Sequence, residues 1–105
     1  MPSEVTVSQL ASMSNAIVID VREVDEFVSG HVPGAFNIPL SELQVRVTDV
    51  PAASQIFVVC QGGGRSLRAC EYLSALDQFA DIDFVNVAGG TGMWIIEGHE
   101  VAVGE

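Results

Sequence analysis

Lysine is absent from these 105 residues, and four arginines face fourteen acids. The formal net charge is −10. A surface of that sign repels nucleic-acid phosphates and anionic membranes, so neither is expected as a partner. Cysteine is scarce as well. Cys60 and Cys70 are the only two, with no CxxC pair, and His31 and His99 lack HxxxH spacing. No metal site is therefore expected. No apolar run reaches the ~18 residues of a membrane span. The opening Met1-Pro2-Ser3-Glu4 has neither a basic stretch nor an apolar core, so it does not read as a signal peptide. These features lead to an expectation of one cytoplasmic domain over residues 1–105 whose thiols stay reduced.

What is present is hydrophobic, at 49% of residues, and it comes in short runs separated by helical patterns. Ala16-Ile17-Val18-Ile19 reads as a buried strand ending at Asp20, and Ile56-Phe57-Val58-Val59 as another ending at Cys60. Val5-Thr6-Val7, Ala35-Phe36-Asn37-Ile38 and Asp83-Phe84-Val85-Asn86-Val87 read as further strands. Between them lie helical stretches: one near Gln9-Leu10-Ala11 capped by Thr6 or Ser8, one from Glu23 to Ser29 stopped by Gly30, one opening at Ser41 as its cap, one from Ser66 to Leu76, and a last one after Gly89-Gly90 ended by Gly98. Continuously apolar strands alternating with helices predict an α/β fold, a mostly parallel sheet covered on both faces. Ligands in such sheets bind beyond the carboxyl ends of the strands.

The six residues Cys60-Gln61-Gly62-Gly63-Gly64-Arg65 stand at such an end. Three consecutive glycines are costly to order, and they serve where the backbone must approach a ligand or aim successive N–H groups at an anion. The helix that follows adds partial positive charge, and Arg65 a permanent cation. Each effect favours thiolate over thiol, the reactive form. Cys60 is the expected nucleophile, and Gln61, Gly62, Gly63, Gly64, Arg65 and Ser66 the expected substrate cradle. Asp20, at a neighbouring strand end, is expected to support the cradle by accepting hydrogen bonds from loop amides. Arg22 is expected to pair with nearby acids, His31 to serve a turn, Arg68 to face solvent, Cys70 and Trp94 to pack, and His99 to lie at the surface.

Three stretches together resemble a single-domain rhodanese of the sulfurtransferase family. They are Ile19 through Pro39 (with Asp20-Val21-Arg22-Glu23 and Gly30-His31-Val32-Pro33-Gly34-Ala35), the Cys60–Ser66 loop, and Gly89-Gly90-Thr91-Gly92-Met93-Trp94 followed by Gly98. The resemblance implies a five-stranded parallel core and a Cys60 persulfide. It implies that sulfane sulfur moves from a donor (thiosulfate or a persulfide, small or protein-bound) to a thiol or cyanide, with no cofactor. Cys60 and Arg65 enclose four residues. In the related phosphatases and arsenate reductases that loop is one residue longer, so the resemblance favours sulfur transfer. Members active on thiosulfate often carry another Arg or Lys beside the cysteine. Here Gln61 and three glycines take those places, which implies weak thiosulfate turnover and leaves a sulfur-carrier or interaction module as the alternative.

Overall fold

In a computed structural model, which describes residues 3–104, five parallel strands form one sheet. They are β1 (Ser3–Thr6), β2 (Val18–Asp20), β3 (Phe36–Asn37), β4 (Gln55–Val59) and β5 (Asp83–Ala88), in the order β1-β5-β4-β2-β3. Four helices connect and cover them: α1 (Val7–Ala11), α2 (Val24–Ser29), α3 (Gly64–Ser74) and α4 (Gly90–Ile96). Short 3-10 turns occupy Leu40–Val45, Val47–Asp49 and Asp77–Phe79. None of the described helices is long and apolar enough to cross a membrane.

The pleat of β4 divides the core in two. Ile56 and Val58, with Cys60 beyond them, pack on one face against Ala69, Cys70 and Leu73 of α3. Phe57 and Val59 pack on the other with Val7, Leu10, Val87 and Trp94. Burial on both faces explains why this strand reads as an unbroken apolar run. Each fully buried aliphatic side chain contributes roughly 1.5–3 kcal/mol. The same parity carries Cys60 onto the α3 face, where the next loop must turn.

From β2 the chain moves to β3 on one side, and from β4 to β5 on the other. Neighbouring strands β2 and β4 therefore flank the point where the direction of winding reverses, and sheets of this kind bind ligands beyond the carboxyl ends at that point. Asp20 and Cys60 lie at those two ends.

Two expectations need correction. Val7 opens α1 instead of closing β1, because Thr6 and Gln9 form a reciprocal cap, with Gln9 N–H to Thr6 Oγ1 at 3.1 Å and Thr6 N–H to Gln9 Oε1 at 2.8 Å. The helix expected from Ser41 is a 3-10 turn that starts at Leu40 after Pro39. Ser41 does not cap it, and its hydroxyl donates to the Glu23 carboxylate at 3.0 and 3.1 Å.

The start of α4 grips the cysteine loop from below. Thr91 N–H donates to the Cys60 carbonyl at 2.8 Å, and Gly92 N–H to the Gln61 carbonyl at 3.0 Å. Gly90 permits this approach. Its φ is +58°, and a Cβ there would run into the carbonyl oxygens of Cys60 and Gln61, the latter at 2.6 Å. Gly98 also has positive φ, +81°, but open space around it. Gly98→Ala is expected to cost only backbone strain, about 1 kcal/mol. Gly90→Ala adds a backbone collision and is expected to cost more than about 3 kcal/mol. Denaturant midpoints measure both, and equal losses would remove the clamp from α4.

Candidate active site

Cys60 is 1% exposed, so its sulfur sits under the loop and not on it. Gly63 takes the left-handed conformation, φ +112°, which turns its N–H to the Cys60 Sγ at 3.0 Å. The Ser66 hydroxyl lies 3.3 Å from the same sulfur. Burial pushes the Cys60 thiol up. The Ser66 hydroxyl and the backbone N–H groups of Ser66, Gly63 and Gly62 pull it down further, so its pKa falls below the ordinary value. Cys70 meets the first effect and no hydrogen-bond donor that opposes it. Burial, then the charges of Asp83 and Glu71, push it up to about 12. The two thiols are thus chemically distinct: one poised to ionise, one held neutral in the core.

Ser66 is itself held from behind. Its hydroxyl reaches Asn86 Oδ1 at 2.5 Å and the Gly63 carbonyl at 3.1 Å. Asn86 Nδ2 points the other way, to Glu4 Oε2 at 3.0 Å and to the Gly63 carbonyl at 3.3 Å. Both of those partners are acceptors, which fixes the amide with its oxygen toward Ser66. The sequence reading passed over Asn86. Its signal was present: a polar residue inside Phe84-Val85-Asn86-Val87, on the same pleat parity as Phe84 and hence on the α3 face.

Arg65 does not sit on the sulfur. It forms a fork with Glu26, Nη1 to Oε1 at 2.8 Å and Nη2 to Oε2 at 3.0 Å. That pairing draws the Glu26 carboxyl down to about 2 against some opposing burial, and raises Arg65 in turn. The pair ties the first turn of α3 to α2. It was missed because Glu26 is 39 residues away and one of fourteen acids. Gln61 is exposed at the loop's rim, and its Oε1 accepts from Arg22 Nη1 at 3.4 Å. A Cβ at Gly62 or Gly64 would meet nothing within 4 Å.

Asp20 is fully buried but binds no loop amide, contrary to expectation. Its carboxylate accepts from Arg22: the backbone N–H at 2.9 Å, Nε at 3.1 Å and Nη2 at 2.9 Å. A partner two residues away outcompetes the loop. Arg22 Nη2 also donates to the Gly30 carbonyl at 2.7 Å, so Asp20 reaches the loop only through Arg22 and Gln61. Arg22 pairs with an acid, as expected. His31 is buried, stacked on Phe27 at 3.7 Å, with Nδ1 2.8 Å from the Phe27 carbonyl. Trp94 packs in the core with Nε1 on the Glu100 carbonyl at 2.7 Å, and His99 leans on its ring at 4.8 Å.

Ser66 and Asn86 are expected to act on the thiolate with opposite sign. Ser66→Ala removes a donor to a charged sulfur, so alkylation of Cys60 near neutral pH slows by about tenfold. Asn86→Leu removes the acceptor that competes for the Ser66 proton, so the alkylation profile moves to lower pH. Rates of iodoacetamide labelling against pH measure both. An upward shift in both variants would mean that Asn86 orients Ser66 and does not compete with the sulfur.

Comparison with known proteins places this arrangement. The family model of the rhodanese-like domain matches residues 6–97. A rhodanese-related protein from Thermoplasma volcanium superposes with a TM-score of 0.84 at 31% identity, over 96% of this chain and 98% of that one. A sulfurtransferase from Allochromatium vinosum is 27% identical over 98% of this chain and 94% of its own length. A putative sulfur carrier protein of Bacillus subtilis, YrkF, is 31% identical over 73% of this chain, which spans only 40% of that protein. With one family model covering all but the two ends, a matching sheet and a cysteine loop at its carboxyl edge, the chain belongs to the rhodanese-like domain family, in which similar proteins are named for sulfur transfer.

Proposed function

We propose that the chain moves sulfane sulfur through a Cys60 persulfide, and that persulfides serve it better than thiosulfate. The observation that carries this reading is the Cys60 sulfur itself, 3.0 Å from the Gly63 N–H and 3.3 Å from the Ser66 hydroxyl, with its pKa drawn below the ordinary value. The thiol first loses its proton to solvent. The thiolate attacks the outer sulfur of the donor. A sulfur–sulfur bond forms on Cys60 as the donor's own breaks, and that electron pair leaves with the remnant, sulfite or a thiolate. An acceptor thiolate then attacks the outer sulfur of Cys60, and the pair returns to Cys60. No net oxidation occurs. The Gly62, Gly63 and Ser66 amides hold the anion at each stage, fixed in place before it forms. Arg65 holds the loop through Glu26 and offers substrate charge only its outer edge. A carrier of this kind works where thiols stay reduced, which supports a cytoplasmic location.

Intact mass tests the central step. A persulfide donor is expected to add one sulfur, about 32 Da by elemental mass, to the wild-type chain and to Cys70→Ser, but not to Cys60→Ser. Cys70→Ser buries a hydroxyl in the core and is expected to lose about 1–3 kcal/mol of stability while keeping transfer. Labelling on Cys70 alone would reverse the two roles.

The weaker use of thiosulfate follows from charge. A dianion must approach a protein of net charge −10, toward a loop whose arginine is already paired. Salt screens the distant charges within about 10 Å at 0.1 M. kcat/KM for thiosulfate is therefore expected to be low and to hold or rise between about 0.02 and 0.2 M salt, while a less charged persulfide responds less. A thiosulfate rate that starts high and falls steeply with salt would reveal a positive local field and overturn this preference.

A further inference from the structure

Ser66 has one hydroxyl proton and several acceptors within reach. Asn86 Oδ1 lies at 2.5 Å, the Gly63 carbonyl at 3.1 Å and the Cys60 sulfur at 3.3 Å. One proton cannot serve them all. The amide oxygen is the nearest acceptor. The sulfur has the most to gain, because the Ser66 hydroxyl is the largest of the hydrogen bonds that draw the Cys60 thiol down. The strength of Asn86 Oδ1 as an acceptor therefore bears directly on the sulfur.

That strength is set from the other end of the amide. Asn86 Nδ2 donates to Glu4 Oε2 at 3.0 Å. Glu4 is exposed on the edge strand β1, and the register places it directly beside Asn86. Asn86 in turn lies beside Val58, so Glu4, Asn86 and Val58 form one row across the α3 face of the sheet. Ser3 and Val5, on the other pleat parity, cannot take this place. A carboxylate on an amide N–H polarises the amide and makes its oxygen a better acceptor. Glu4 forms no ion pair among the described residues, and its carboxylate accepts there only from Asn86. A chain of contacts thus runs from a surface acid through Asn86 and Ser66 to a buried sulfur.

We propose that Glu4 is a positioning residue for Cys60: acting through Asn86, it holds the Ser66 proton on the amide oxygen and so restrains ionisation of the sulfur. The proposal rests on the sulfur-transfer reading, in which Cys60 works as a thiolate, but its test reads the thiolate without moving sulfur. In the resting thiol the Ser66 hydroxyl stays on Asn86. When Cys60 ionises, the sulfur becomes a charged acceptor and the hydroxyl turns to it. Asn86 Oδ1 is then left without its donor, while Nδ2 stays on Glu4 and the Gly63 carbonyl. The better an acceptor Glu4 makes that oxygen, the more the turn costs. Other charges reach the site by other routes. Arg65 and Cys70 on α3 lie in the field of Cys60, Glu26 and Asp20 act on Arg65, and Asp83 and Glu71 act on Cys70. None of these hydrogen-bonds to Glu4, Asn86 or Ser66 among the described residues.

Glu4→Gln keeps the length and an acceptor for Asn86 Nδ2 but removes the charge. Iodoacetamide labelling of Cys60 against pH is the readout. The profile is expected to move down by about half a pH unit, so that labelling below the midpoint is about threefold faster. A direct field of the Glu4 carboxylate on the sulfur would act in the same direction, so the substitution is repeated in Ser66→Ala protein. There the chain of contacts is cut while the charge is still removed, and Glu4→Gln is expected to change nothing. An equal shift in the Ser66→Ala background would overturn the proposal, since Glu4 would then act through space. No shift, or an upward one, in the otherwise wild-type chain would overturn it too. Glu4 is exposed, so its replacement by Gln does not endanger the fold. The side-chain amide signals of Asn86 in isotope-labelled protein give a second reading. They are expected to move on Glu4→Gln while the backbone signals of α3 stay in place, and Asn86 signals that do not move would remove the contact on which the proposal stands. Labelling that shifts as described while no donor loads Cys60 with sulfur would sink the sulfur-transfer reading and leave the role of Glu4 intact.

Discussion

Burial works against the charge that Cys60 carries under the proposed function. At 1% exposure the sulfur has lost nearly all its water, and by itself that loss would hold the proton on, as it does on Cys70. The loop exists to reverse this. Its donors are mostly backbone amides, which bring no counter-charge and no flexible side chain. Their direction is set by the glycine conformation at residue 63 and by the first turn of α3. A donor that must rotate into place as the anion forms costs reorganisation energy at that moment, whereas one locked beforehand does not. Rigidity of the loop is therefore part of the chemistry, and much of the surrounding fold serves it.

Three restraints supply that rigidity from three directions. Below, the α4 amides of Thr91 and Gly92 hold the carbonyls of Cys60 and Gln61, which leaves those carbonyls turned away from the sulfur. Behind, Asn86 Nδ2 on β5 holds the Gly63 carbonyl, while its oxygen competes with the sulfur for the Ser66 proton. At the side, the Arg65–Glu26 fork pins the start of α3 to α2. The Asp20–Arg22 pair adds a fourth, weaker link through Gln61. That pair is buried at 0% and 3% exposure, so losing either partner would strand a charge at a cost of about 3–5 kcal/mol. Its main contribution is at the carboxyl end of β2, with the loop a secondary beneficiary.

The sheet and the cysteine loop at its carboxyl edge were legible in the sequence for a physical reason. Strands buried on both faces must be continuously apolar, and a run of glycines after one of them has few other uses. What escaped was side-chain pairing across long separations. Glu26 and Asn86 lie 39 and 20 residues from their partners in the loop, and nothing local marks one acid or one amide as the chosen partner. Asp20 was placed correctly at its strand end but given the wrong partner, because the guanidinium two residues on is both nearer and more strongly attracted than any neutral amide. Val7 and Ser41 erred by the same route. At Val7 the reciprocal Thr6–Gln9 cap moved the boundary, and at Ser41 the hydroxyl went to Glu23 while Pro39 preceded the turn.

Charge distribution gives the loop its chemical character. With Arg65 committed to Glu26, the space over Cys60 is lined by dipoles and not by a free cation. Neutral donors stabilise a single negative charge on a large, polarisable sulfur well enough. They are poorly suited to a compact multiply charged oxyanion, which needs full counter-charges to replace its hydration. The bulk field of the protein, at −10, works in the same direction and excludes such anions before they arrive. On the proposed sulfur-transfer reading, a cradle of amides inside an acidic shell favours monoanionic sulfur over a dianion.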